Sequence, residues 1–345
     1  MLSSTADRLY WMARSMERAE NTARMLDITY RMSLLKHATQ EPYQEWSAIL
    51  SISGLHYEFR QRHREITADA VLHFMALDES NPSSIVSSLN SARENGRAER
   101  GAITSEMWEA LNHTWLLMRE KCDLGIPADG VSAFFDWVKE RSHLSRGIAY
   151  GTLLRGDAFR FIRLGTFIER ADNTIRILDV KYHILLPSLK DIGGVADYYQ
   201  WGALLRSVSA FEAYRKVYRD AITPKRVAEL LILNADMPRS LNASLVELDR
   251  VVCDLNGHRG ARGGELRRRV GMLHAELMHG SIDDIMATGL HEYLTGALAR
   301  IYAIGDEITR TYFWSMDDWP NEIESLQQTQ TSSSVAPFTT TGAEK

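Results

Sequence analysis

MERAENTARMLDITYRMSLL (16–35) and IERADNTIRILDVKYHILLP (168–187) align without gaps at an offset of 152, and ten of the twenty positions are identical. The identities are Glu17/Glu169, Arg18/Arg170, Ala19/Ala171, Asn21/Asn173, Thr22/Thr174, Arg24/Arg176, Leu26/Leu178, Asp27/Asp179, Tyr30/Tyr182 and Leu34/Leu186. On a helical wheel with Glu17 at zero, Leu26, Ala19, Tyr30, Ala23 and Met16 fall between roughly 180° and 260°, an apolar stripe. Arg24, Glu17 and Asn21 gather on the opposite side, flanked by Arg18 and Thr22. This periodicity predicts one long helix in each copy, over 3–36 and over 157–186.

The likeness continues downstream. Trp46-Ser47-Ala48-Ile49-Leu50 matches Trp201-Gly202-Ala203-Leu204-Leu205, Thr67 with Val71 matches Thr223 with Val227, and Pro82 with Ser84 matches Pro238 with Ser240. We read a duplicated unit of about 155 residues, inside the usual range of domain size. Two copies are too few for a solenoid. The text between prolines is rich in helix-favouring Ala, Leu, Met, Glu and Arg. Asn81-Pro82 and Thr223-Pro224 each read as an N-cap followed by proline at the first helical position. No stretch alternates with period two between hairpin turns. The expectation is an all-α, pseudo-two-fold duplicated helical bundle of about ten to twelve helices. It forms one domain over 1–326, with repeat 1 over about 1–156 and repeat 2 over about 157–326. The Thr/Ser-rich residues 327–345 read as a disordered C-terminal tail.

Composition narrows the function. A chain of 345 residues that is 45% hydrophobic and 25% charged, with 8 prolines, is neither wholly disordered nor fibrous. Lys+Arg 40 against Asp+Glu 45 gives a net charge of −5, which disfavours a dedicated nucleic-acid binder. No uncharged apolar run is long enough for a membrane span. Cys122 and Cys253 lie far apart without metal-ligand spacing, and the N-terminus lacks an apolar signal core. Those features point to a reducing, cytoplasmic setting.

The polar identities carry the functional signal. A solvated face tolerates almost any polar residue, so matched charges in both copies point to a face shielded from water, where each charge needs a partner. The set is Glu17, Arg18, Asn21, Arg24, Asp27, Glu169, Arg170, Asn173, Arg176 and Asp179. It reads as a structural clamp between copies or as a binding pocket. The plainer alternative pairs Glu17 with Arg24 and Asp27 with Arg31 on a helix surface, at about 0.3 kcal/mol each.

Other patterns are weaker. Glu140-x-x-His143 and Glu276-x-x-His279 mimic half of a di-iron carboxylate site, with Glu17 and Glu169 as nominal further ligands. So short a pattern recurs by chance, and the two are not at the repeat offset, so no metal is assigned. Residues 257–271 form a Gly/Arg-rich segment entering a helix, where Arg267, Arg268 and Arg269 are candidates for holding an anion or an acidic partner surface. The chain has neither a Walker loop nor a Gly-x-Ser-x-Gly motif, and neither cysteine has a catalytic context. No catalytic residue and no cofactor is assigned. Trp11, Trp46, Trp108 and Trp201 read as core.

The duplicated [MI]-E-R-A-[ED]-N-T-x-R-[MI]-L-D resembles the signature of the alpha-E family, bacterial all-helical proteins named for a Glu-Arg motif. Ala6-Asp7-Arg8-Leu9-Tyr10-Trp11, Ser91-Ala92-Arg93-Glu94-Asn95, Glu106-Met107-Trp108 and Leu178-Asp179-Val180-Lys181-Tyr182 fit the same family, in order, over about residues 1–326. Gly96 stands where the family usually has alanine after Glu-Asn. The resemblance implies no established activity. It implies genes beside circularly permuted ATP-grasp ligase-like and transglutaminase-like proteins, in ATP-dependent amide chemistry on a peptide or small molecule. The resulting expectation is a non-catalytic binding or scaffold protein serving those two partners. The alternative is an enzyme acting on a peptide or amino-acid derivative, with Glu17 or Glu169 as base and Arg24 or Arg176 holding a carboxylate.

Overall fold

Side-chain caps start corresponding helices in both halves of the chain. Thr67 Oγ1 accepts from the Ala70 amide at 3.2 Å, and Thr223 Oγ1 accepts from the Arg226 amide at 3.4 Å. Ser84 Oγ and Ser240 Oγ do the same for Ser87 and Ala243, at 3.1 and 2.9 Å. The computed structural model describes residues 1–34, 42–126, 130–185, 195–256 and 263–313. Among these residues lie fifteen helices and no strand. The first seven are α1 (Ser3–Ser33), α2 (Pro42–Ile52), α3 (His56–Arg62), α4 (Ala68–Ala76), α5 (Ile85–Ala98), α6 (Ser105–Leu124) and α7 (Val131–Thr152). The second set is α8 (Asp157–Leu185), α9 (Val195–Ser207), α10 (Phe211–Tyr218), α11 (Pro224–Ile232), α12 (Leu241–Asn256), α13 (Gly264–His279), α14 (Ile282–Thr288) and α15 (Leu290–Tyr312). The two sets run in the same order, α14 being an extra turn before α15.

The all-α class holds, with more helices than periodicity suggests. Helices α3, α10 and α14 have only 7 or 8 residues. Two turns are too short for a 3.6-residue pattern to register, and such helices persist only because neighbours pack on them. Proline placement also differs at one point. Pro224 opens α11 as expected, but Asn81-Pro82 sits in a turn and α5 begins at Ile85 with Ser84 as its cap. Asn81 instead braces that turn, accepting from the Ser83 amide at 3.0 Å and donating to the Phe74 carbonyl at 2.9 Å. The tail over 327–345 and the last residues of the two long predicted helices lie outside the described residues.

Helices α2 and α9 close alike. Gly54 (φ 70°) and Ser209 (φ 55°) take the left-handed conformation just past each helix. The Leu55 amide then bonds the Leu50 carbonyl at 2.8 Å, and the Ala210 amide bonds the Leu205 carbonyl at 2.7 Å.

The centre is the crossing of α1 on α8. Helix α1 also packs on α5, α7, α9 and α2, while α8 packs on α12, α15, α2 and α9. With neighbours on every side, α1 from Ala19 to Thr29 is buried all round, charged residues included. One apolar cluster runs from Ala6 to Tyr312, drawing Trp46 and Trp201 inside and packing Trp11 and Trp108 on its edge. The backbones touch where matched positions meet. A Cβ on Gly165 would stand 2.3 Å from the Tyr10 carbonyl oxygen and 3.3 Å from the Ala13 Cβ, and Ala13 is the residue matched to Gly165 at the offset of 152. Gly165→Ala should therefore destabilise the fold by about 1–3 kcal/mol or more through overpacking, although alanine favours an isolated helix. Chemical denaturation of the variant checks this. Unchanged or increased stability would show that the helices are not in backbone contact.

Candidate functional site

The Glu-Arg pair of α1 engages the Glu-Arg pair of α8. Arg170 grips Glu17 with two parallel bonds, Nε to Oε1 at 2.9 Å and Nη2 to Oε2 at 3.1 Å. Reciprocally, Arg18 grips Glu169 through Nε to Oε1 at 2.6 Å and Nη2 to Oε2 at 3.1 Å. Adjacent residues on a helix point about 100° apart, so each glutamate faces the crossing while the next arginine reaches round the partner helix. The fork of guanidinium matches the two carboxylate oxygens, which the point charge of lysine cannot do. Glu17 is 1% and Glu169 5% exposed, so these are interior pairs rather than surface ones.

A second layer repeats one turn further on. Arg24 pairs with Glu20 rather than with Glu17, Nε to Oε1 at 2.9 Å, and the matched Arg176 pairs with Asp172 at 2.9 Å. Each arginine then crosses to the other half of the chain. Arg24 Nη1 donates to the carbonyl of Ser207, the last residue of α9, at 2.6 Å, and Arg176 Nη1 donates to the carbonyl of Ile52, the last residue of α2. Both satisfy carbonyls that a helix end leaves without an internal partner. Arg24 also reaches Ser209 Oγ at 3.2 Å, tying down the left-handed residue beyond α9.

The remaining predicted residues take lesser places. Asn21 Nδ2 meets the Glu169 carbonyl at 3.5 Å, and Asn173 is buried beside Asp172. Asp27 holds Arg31 at 2.8 Å and Lys139 of α7 at 3.1 Å, while Asp179 meets His291 of α15 at 2.7 Å. Arg267, Arg268 and Arg269 lie within α13, where Glu265 takes Arg268 at 2.8 Å and Arg269 at 2.7 Å; residues 257–262 of that segment are outside the described ones. His143 leans on Glu20 at 3.4 Å, and Glu276 pairs with Arg300. Among the described residues no group of three or more His, Cys, Asp or Glu is arranged to hold a metal ion. The polar residues around Gly96 are engaged locally: Arg93 with Asn112 at 3.1 Å, and Asn95 with the Ser91 carbonyl at 2.9 Å.

Two cavities flank the crossing. One of about 320 Å³ opens beside Glu17, Arg146 and Arg170 against α7. The other, about 230 Å³, is polar and is lined by Arg18, Ser53, Ser83, Asp172, Asn173 and Tyr302.

Comparison with known proteins bears on the crossed motif directly. Residues 1–313 match Alpha-E, described as a predicted alpha-helical domain with a conserved ER motif. The chain belongs to the Alpha-E family. Uncharacterized proteins of Mycobacterium bovis and of two strains of Mycobacterium tuberculosis are each 24% identical to it over 332 residues, covering 88% of this chain and 36% of theirs. The Alpha-E chain thus spans little more than a third of the length of these curated relatives. No solved structure matches it significantly.

The two halves of this Alpha-E core are not electrically alike. Glu20 and Asp172 occupy matched positions. Glu20 receives Arg24, Arg146 at 2.5 Å and Arg239. Burial pushes its pKa up, but Arg239, His143, Arg146 and Arg24 outweigh it and hold the carboxyl well below the usual range. Glu17 is lowered in the same way, burial being overcome by Arg170 and Arg146, and Glu169 falls to about 2 because Arg18 and Arg14 prevail over burial. At Asp172 burial, helped by the nearby Glu169, outweighs Arg176 and Arg14, of which only Arg176 is a direct partner, and the pKa is raised. Its Oδ1 is sealed from solvent and no donor meets it in hydrogen-bond geometry, although Tyr302 stands close; Ser53 Oγ nearby is also without a partner. Crowding has its converse at Arg239, whose burial among cations depresses its pKa to about 9 despite Glu20 and Glu17.

Glu20, Asp172, Arg14, Arg146 and Arg239 were all missed by sequence reasoning. Glu20 and Asp172 differ by one methylene and so dropped out of a list of identities, although both are acidic at the same offset. The three arginines have no matched counterpart, and only folding brings them to the crossing. Carboxylates with depressed pKa values stabilise the fold above the ordinary range near 4.5, and that contribution fades as pH falls toward about 2 for Glu169. Asp172, being raised, does the opposite: its ionisation costs stability as pH rises through its folded pKa. Glu20→Gln should therefore cost about 3–5 kcal/mol at pH 7, as for breaking a buried pair, with a smaller loss at pH 3. Asp172→Asn should be neutral or stabilising at pH 7. Urea unfolding of both variants at the two pH values is the measurement, and equal losses would remove the asymmetry.

Proposed function

We propose that the chain is a non-catalytic binding or scaffold protein that serves an ATP-grasp-type amide ligase and a transglutaminase-like partner in peptide or small-molecule amide metabolism. The observation that carries the non-catalytic part is the saturation of the Glu-Arg residues by one another. A general base needs a free lone pair and a pKa near the working pH. Glu17 and Glu169 have guanidinium donors on both oxygens and pKa values below the usual carboxylate range. Arg24 and Arg176 likewise spend donors on the carbonyls of Ser207 and Ile52 instead of standing ready for a substrate carboxylate. The enzyme alternative thereby loses the base and the anchor it named.

The partner assignment rests on the family resemblance. The mycobacterial relatives hold a comparable stretch within chains almost three times as long, which suits a unit that works joined to, or beside, other activities. We further read the matched helix order, caps and crossed pairs as descent from one duplicated unit of about 155 residues. A cytoplasmic setting fits two free cysteines, and no helix among the described residues is long and apolar enough to cross a membrane.

Co-expression with the ATP-grasp-type and transglutaminase-like proteins, followed by size-exclusion chromatography and a ligase assay, tests the proposal. Comigration with altered ligase turnover is the expected result. Separate elution together with unchanged turnover would refute the scaffold role, and turnover by the isolated chain would refute its non-catalytic character.

A further inference from the structure

The cavity of about 320 Å³ lies between α1, α6, α7 and α8. Most of its wall is apolar and soft, including Met12, Met16, Met107, Phe159, Ile162 and Phe167. Thioethers and rings of this kind adapt to an apolar body and leave water few partners. Arg146, Arg163 and Arg170 line it together with Glu17, while two of their ion partners, Glu20 and Glu247, stand outside the lining.

The donors are not used up. Arg146 directs one nitrogen, Nη1, at Glu17, Glu20 and Ser142, at 2.6, 2.5 and 2.8 Å, so its Nε and Nη2 have no protein acceptor among the described residues. Arg163 is 7% exposed and uses only Nη2, on Glu247 at 2.5 Å. Its guanidinium is fixed between rings, 4.6 Å from the centre of Phe167 and 4.8 Å from that of Tyr150. Burial lowers its pKa against the opposing pull of Glu247, with Arg250 and Arg170 adding to the lowering. A buried guanidinium, Arg163, and a partly exposed one, Arg146, both with idle N–H donors beside an apolar chamber, match the two ends of an amphipathic anion.

We propose that this cavity binds a small organic carboxylate with an aromatic or aliphatic body, the carboxylate engaged by Arg146 and Arg163 and the body lying among the methionines and phenylalanines. The site goes beyond the scaffold reading and does not depend on which partner the chain serves.

The test is calorimetric titration of the full chain at low salt with 3-phenylpropionate, 3-phenylpropanol, 3-phenylpropylamine and inorganic phosphate. The carboxylate should bind at least about tenfold more tightly than the alcohol, and the amine and phosphate more weakly still. Gly147 lines the mouth of the cavity on α7, and a Cβ there meets nothing within 4 Å. Gly147→Trp should abolish binding while leaving the unfolding temperature equal or higher, because glycine is a poor residue inside a helix. Arg163→Met should bring carboxylate and alcohol to similar affinity. The proposal is overturned by equal binding of carboxylate and alcohol to the unmodified chain, by phosphate binding as tightly as 3-phenylpropionate, by binding that survives Gly147→Trp, or by no heat from any probe up to about 10 mM.

Discussion

Two glutamates sit inside the crossing of the two longest helices, and neither can stay ionised there without guanidinium groups in contact. The neighbouring arginine in sequence is on the wrong side of its own helix to help. It is on the right side to help the glutamate of the other helix. The requirement that each carboxylate be neutralised from the opposite helix fixes how α1 and α8 meet, and the close approach of Gly165 to the Tyr10 backbone makes that meeting tight enough for bidentate bonds. Helices α2 and α9 follow, because Arg24 and Arg176 reach from the crossing to the carbonyls at their ends.

The symmetry is deliberately imperfect in its charges. Around Glu17 and Glu20 stand Arg24, Arg146, Arg170 and Arg239; around Glu169 and Asp172 stand Arg14, Arg18 and Arg176. Ser83, one residue beyond Pro82, occupies the position of Arg239, one beyond Pro238. Ser83 is too short to reach an acidic partner as Arg239 reaches Glu20, and the polar cavity beside Asp172 lies on that side. One half is rich in cations and the other keeps an under-partnered acid, so two halves built from similar sequence offer different chemistry to whatever approaches them.

This arrangement separates support from recognition. The crossed Glu-Arg residues are spent on one another, and breaking such buried pairs is strongly destabilising. Groups with unused bonding capacity, such as Arg146 and Arg163, lie at the edges of the crossing, at positions without a match in the other half of the chain. Motif-based reasoning therefore points to the architecture, while binding capacity is found among residues the motif does not include.

The helical class, the two long helices, the matching of elements across an offset of about 155 and the matched Glu-Arg faces were legible in the sequence, because periodicity and charge spacing are local properties of the string. Short helices such as α3 and α14 were not, since two turns carry no period. Which arginine meets which carboxylate was not legible either. Glu17 pairs with Arg170 and not with Arg24, and Arg146 and Arg239 come from segments more than 120 residues away. The amino-acid order by itself determined that matched charges would share one helix face, because spacing along a helix sets the side on which each residue lies. The tertiary structure alone decided their partners, because a carboxylate in a dry interior takes whichever guanidinium the packing of distant helices delivers to it.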